Sequence, residues 1–218
     1  MASVPAFPSS DFDQWAETYD RDVAAQRIFP FAGYQRAISA VTHLAAPQRG
    51  MAVLDLGSGT GNLALRFAEA GCQLWCTDFS AAMLERASEK LPGAKMILHD
   101  LDSEWPAELD LRFDRIVSAY VFHHFKLGRK LQLVRDLAFE HLTPGGKLII
   151  ADISFPNGPS MRAFAAPIGE LWEEEDYWLA DESIRAIEGV GLRVDYRQVS
   201  ECAGVYCIER NKNLRSPN

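Results

Sequence analysis

Cysteine is scarce: Cys72, Cys76, Cys202 and Cys207 are the only four in 218 residues. Neither close pair has Cys-x-x-Cys spacing and no histidine stands nearby at zinc-ligand spacing, so free thiols in a reducing compartment, and no metal site, are expected. No apolar run reaches the ~18 residues that would suggest a membrane span. The opening Met1-Ala2-Ser3-Val4-Pro5 lacks the basic-then-apolar layout of a signal peptide, and a cytoplasmic location is expected. Basic residues are also few. Lys and Arg number 22 against 30 Asp and Glu, for a net charge of −8 and a pI near 5.1. The densest basic run, Lys126-Leu127-Gly128-Arg129-Lys130, reads as a solvated loop and helix start. A nucleic-acid partner needs clustered cations against phosphate, so none is expected. There is no internal repeat or linker. Residues 1–218 read as one domain, monomeric or homodimeric, with residues 1–10 and the tail from Asn211 loose.

What is present centres on Val53-Leu54-Asp55-Leu56-Gly57-Ser58-Gly59-Thr60-Gly61-Asn62-Leu63. An apolar, β-branched run has the look of a buried parallel strand. Three glycines at alternate positions follow, then an apolar stretch with helical spacing. Glycine suits a sharp turn that a ligand approaches closely, and the helix beyond it presents free N–H groups. A dinucleotide fingerprint would be Gly-x-Gly-x-x-Gly, and here Asn62 replaces its last glycine. The pattern Asp-x-Gly-x-Gly-x-Gly resembles motif I of the class I S-adenosylmethionine (SAM) methyltransferases.

From Met51 the chain alternates strands and helices, the pattern of a mostly parallel sheet covered on both faces. Strands are predicted at Ala52–Leu56, Gln73–Thr77, Ala94–His99, Phe113–Ala119, Lys147–Asp152, Leu192–Val199 and Gly204–Glu209. Helices are predicted at Asn62–Ala70, at Ser80–Lys90 with Ser80 as N-cap, at Gly128–Leu142 and at Asp181–Val190. The resemblance implies an α/β, Rossmann-like, seven-stranded sheet whose last strand is antiparallel, preceded by N-terminal lid helices over 11–45. Residues 153–180 read as an irregular, aromatic-rich insertion roofing the substrate. Phe12, Trp15 and Tyr19 are spaced to share one helical face.

Asp78 ends the second strand, 21 positions after Gly57, where an acid accepts both hydroxyls of a ribose. The family resemblance extends over roughly 12–155 and implies more. Phe12-Asp13-Gln14-Trp15-Ala16-Glu17-Thr18-Tyr19-Asp20 resembles the lid segment of small bacterial members, in which the tyrosine reaches the methionine end of SAM. Asp100 would take the adenine amino group, with Leu101 reading a ring nitrogen through its backbone. Asp102 competes for the first role. Phe79 and Met83 would wall the adenine, and Gly57, Ser58, Gly59 and Ser118 complete the expected SAM set. Val121-Phe122-His123-His124 resembles motif IV of small-molecule members and lacks the Asn/Asp-Pro-Pro-Tyr tetrad of enzymes that methylate base amines. Leu142-Thr143-Pro144-Gly145-Gly146 resembles the family's turn before strand 5.

These readings imply methyl transfer from SAM to O, N or S of a small molecule, with S-adenosylhomocysteine (SAH) as by-product. The sulfonium already activates the methyl, so alignment and water exclusion are the main tasks. A base is needed only for a protonated nucleophile. His124 is the candidate, expected to share a hydrogen-bonded latch with Tyr19. Other readings are a non-catalytic SAM-binding module, a nicotinamide oxidoreductase, and a protein or RNA methyltransferase.

Overall fold

The computed structural model describes residues 9–25 and 29–211. Residues 1–8 and 212–218, within the ends expected to be loose, lie outside them. The elements in order are α1 (Ser9–Trp15), α2 (Tyr19–Ala25), α3 (Tyr34–Ala45), β1 (Ala52–Leu56), α4 (Asn62–Glu69), β2 (Gln73–Asp78), α5 (Ala81–Lys90), β3 (Lys95–Leu98), β4 (Phe113–Ala119), α6 (Leu127–Asp136), β5 (Leu142–Phe155), α7 (Gly158–Ala165), β6 (Trp178–Leu179), α8 (Ala180–Gly189), β7 (Leu192–Gln198) and β8 (Ala203–Arg210).

The strand order is β3-β2-β1-β4-β5-β8-β7, with the two-residue β6 pairing beside the end of β5. Neighbours from β3 to β5 are parallel, and β8 runs antiparallel to both β5 and β7. Side chains alternate across the sheet and fill two cores. Val53, Val117 and Ile149 face one core with Val41, Leu63 and Phe67 from the helices. Leu54, Ile116 and Ile150 face the other with Leu133, Val134 and Ile187. The order reverses beside β1, which leaves a crevice at the carboxyl ends of β1 and β4, the usual ligand position in such a sheet.

Several boundaries depart from the sequence reading. The aromatic N-terminal segment is two helices, because the chain turns at Ala16–Thr18. Trp15 and Tyr19 still meet edge to face with centroids 4.8 Å apart, so the aromatic face survives the break. The helix predicted to reach Leu142 is α-helical only to Asp136 and ends in a wider π turn, Leu137–His141. Strand β5 starts at Leu142 and not at Lys147. The Thr143-Pro144-Gly145-Gly146 reversal is absorbed as a bulge between the Phe113–Leu142 and Arg115–Lys147 pairs. Gly145 takes φ +81°, and a Cβ on Gly146 would lie 3.0 Å from the Thr143 carbonyl oxygen. The 153–180 region, expected to be irregular, contains the end of β5, helix α7, a 3₁₀ turn at Gly169–Leu171 and β6.

Candidate active site

The glycine turn is held by a buried acid. Gly57, Gly59 and Gly61 all have positive φ, at 64°, 51° and 83°. A Cβ at Gly57 would fall 2.3 Å from Val121 Cγ2, so the close approach of the loop after β4 excludes any side chain there. Asp78, at the end of β2, accepts the Gly59 N–H at Oδ2 (2.8 Å) and the Ser80 N–H at Oδ1 (2.9 Å). Burial lifts its carboxyl to about 6, against the pull of those donors. Ser80 caps α5, its hydroxyl accepting the Met83 N–H at 3.1 Å. Asp55, fully buried on β1, is raised well above the carboxylate range by burial and then by Asp78.

The N-terminal helices close over this turn through two aspartates. Asp13 Oδ1 accepts the Ser80 hydroxyl at 2.6 Å. Asp20 Oδ1 accepts from Thr60 Oγ1 (2.5 Å) and Asn62 Nδ2 (2.9 Å), and its other oxygen takes Lys90 Nζ. Helices α1 and α2 are therefore clasped to the glycine turn and to the start and end of α5. The aromatic face beneath them packs Phe12 against Phe79 (5.0 Å) and edge-on to His124 (6.1 Å).

Beyond β4 the backbone is strained. Tyr120 takes φ +60°, uncommon for a residue with a side chain, and its ring stacks on Tyr34 at 5.4 Å. A short turn, Phe122–His124, then presents two histidines with opposite settings. His123 Nδ1 meets Asp152 Oδ1 at 2.6 Å, and Asp152 Oδ2 also takes the His123 backbone N–H at 2.9 Å and Trp178 Nε1–H at 3.2 Å. Despite its burial, Asp152 stays below the usual carboxylate range, held there by His123 and Lys130. His124 is pushed down to about 3 by burial and by His123, so its ring is neutral. Burial likewise lowers Lys130 to about 8.

Two adjoining cavities open here. The first, of about 380 Å³, is lined at strand ends by Gly57, Gly59, Asp78, Asp100 and Leu101, with Phe79 and Met83 as walls. The second, of about 500 Å³, is ringed by Trp15, Phe29, Phe31 and Tyr177, with Asp11, Glu173 and Glu175 as its acids. Phe12, Tyr19, Tyr120 and His124 line both.

Most residues singled out from the sequence thus meet in one place. Ser58 and Ser118 are buried and absent from the cavity lining. Ser58 N–H donates to the Thr77 carbonyl (2.7 Å), and the Ser118 hydroxyl donates to the Leu56 carbonyl (2.8 Å), fixing the strand end that feeds the turn. The Tyr19 hydroxyl is directed to Tyr34, where a latch to His124 was expected, and burial with Tyr34 raises it well above the phenol range. Asp102 is ion-paired with Arg129 at 3.0 Å, while Asp100 Oδ1 accepts the Asp102 N–H at 2.9 Å.

A family model described as a methyltransferase domain matches residues 53–146. An uncharacterised methyltransferase of Geobacillus kaustophilus is 38% identical over 174 residues, covering 78% of this chain and 77% of its own. The uncharacterised methyltransferase YrrT of Bacillus subtilis is 31% identical over 174 residues, 78% of each chain. A solved complex of DhpI with SAM and HEP superposes with a TM-score of 0.73 at 18% identity, over 96% of this chain and 100% of that one. The chain belongs to the class I SAM-dependent methyltransferase family.

The first cavity of this methyltransferase fits its cofactor. Both glycines that line it have positive φ, a Cβ on Gly59 would meet only open space, and a buried acid stands at the next strand end. Sequence reasoning missed four contributors. Leu98 ends β3 and is 63% exposed, an apolar side chain on the cavity rim that its strand-end position could have flagged. Tyr120 carries no local signal for its left-handed backbone. Asp13 and Asp20 lie in the lid motif, but their partners are 67 and 40 residues away.

Proposed function

We propose that this methyltransferase transfers the SAM methyl to an O, N or S atom of a small molecule bound in the 500 Å³ aromatic cavity. The observation that carries this reading is the shared wall of Phe12, Tyr19, Tyr120 and His124 between the two cavities, because the methyl must cross from one to the other. SAM supplies a methyl already activated on a sulfonium, and the chain's own residues supply alignment and dryness. Gly57 and Gly59 form the cradle, Asp78 takes the ribose, Asp100 and Leu101 take the adenine, and Phe79 and Met83 flank it. Ser58 and Ser118 act indirectly by fixing the turn. Tyr19 closes the methionine end while docked on Tyr34.

His124 faces the acceptor as a neutral ring. A group held near 3 is a weak base at neutral pH, so its role is to position the acceptor beside the methyl and not to take its proton. The cavity's size and aromatic lining suit a small ligand, and the net charge of −8 disfavours an RNA acceptor. Incubating the protein with methyl-labelled SAM and a panel of thiols, amines, phenols and carboxylates tests the reading. Label in one class supports it. Label only in protein or RNA contradicts it.

A further inference from the structure

The acceptor cavity contains more than methyl alignment needs: His123, Glu175 and Asp152 are gathered around His124. Asp152 anchors His123 through Nδ1, which leaves Nε2 facing Glu175 Oε2 at 3.5 Å. His124 Nδ1 stands 3.9 Å from the same oxygen. The three ligand atoms all lie within 4.8 Å of one another. Zinc bonds of 2.0–2.2 Å in a tetrahedron set ligand atoms about 3.4 Å apart, so small side-chain shifts close this set on an ion. Glu175 Oε2 is buried and has no hydrogen-bond partner among the described residues. Lys130, also buried here, turns its Nζ to the Asp176 carbonyl and over the Trp178 ring, 4.7 Å from its centroid.

We propose that His123, His124 and Glu175 bind a divalent transition-metal ion of the zinc class, whose remaining position opens into the acceptor cavity. Two histidines and a carboxylate with an open position form a catalytic zinc set, and a carboxylate behind one histidine is the usual orienting partner. The same residues line the cavity that the methyl acceptor is assigned to, so the metal names an acceptor class: molecules with an ionisable S–H or O–H. The ion lowers the pKa of a bound S–H or O–H; the proton leaves to solvent and the acceptor is presented as an anion. This substrate class rests on the acceptor reading above, whereas the metal site rests on geometry alone.

The test uses tag-free full-length protein stripped with a chelator. Zn²⁺ is titrated calorimetrically, and Co²⁺ is added separately to read the d–d absorption of a tetrahedral site. One ion per chain is expected, with affinity reduced at least about tenfold in Glu175→Gln and about 10–100-fold in Asp152→Asn. SAM uptake and thermal melts are measured on the same preparations, and Glu175→Gln should match the parent in both. Absence of zinc uptake in a SAM-binding preparation overturns the metal site alone. Uptake that Glu175→Gln leaves unchanged overturns it as well. Absence of SAM uptake overturns the cofactor assignment instead.

Discussion

Asp20 of the lid and Thr60 of the glycine turn are hydrogen-bonded at 2.5 Å, although 40 residues separate them. With Asn62 and Lys90 on the same carboxylate, this clasp ties helix α2 to the glycine turn. Replacing Asp20 by Ala removes partners from Thr60, Asn62 and Lys90 at once. Hydrogen bonds to a charged group contribute roughly 1.5–3 kcal/mol each when intact, less where water reaches them. SAM affinity should fall about tenfold, read by calorimetry, and proteolysis within the first helices should quicken while the sheet core stays protected.

Gly57→Ala should abolish measurable SAM binding. Its φ of +64° costs a side chain about 1–2 kcal/mol, and the new Cβ meets Val121 Cγ2 at 2.3 Å. The double variant with Val121→Ala removes the collision but not the backbone penalty. A double-mutant cycle on thermal stability should therefore recover part of the loss and not all of it.

As the proposed ribose acceptor, Asp78 should give SAM affinity a pH dependence with a defined sign. Its folded value of about 6 is raised from 3.8, so the folded protein binds the extra proton between those values. Stability contributed by this group is present in the acid range and is lost as pH rises through that window. The ionised form is the better acceptor for ribose hydroxyls, so affinity should move the other way, rising as pH climbs through about 6 and then levelling. Calorimetric titrations from pH 5 to about 8 check this, and Asp78→Asn should flatten the profile.

His124→Ala should lower turnover by about 10²-fold with the SAM dissociation constant changed less than about threefold. Because the folded His124 titrates near 3, no break near 6.5 in the pH–rate profile should disappear in the variant. For stability, the unfolded chain binds the extra proton between 3 and 6.5, so the His124 contribution is full above 6.5 and falls away in acid. Turnover that is unchanged in His124→Ala would remove this residue from the acceptor site.

The lining of the first cavity was legible in the sequence because its signals are local or follow a fixed stride. The glycines, Ser80 as a cap and Asp78 at its strand end all needed only spacing. The second cavity was legible only in part: His124 and the 153–180 roof stand out by motif and composition, but the contacts between them do not. The cluster of His123, Asp152 and Glu175 joins residues 29 and 52 positions apart, through an insertion whose path no periodicity encodes. The helix break before Tyr19 and the bulge that begins β5 were likewise decided by tertiary contacts, which override local propensity.

Calorimetric titration of the full chain with SAM, alongside Asp78→Ala, tests the central claim most directly. One site per chain, weakened at least about tenfold in the variant, is the predicted result. Absence of uptake at millimolar SAM, or equal affinity in the two proteins, would contradict it.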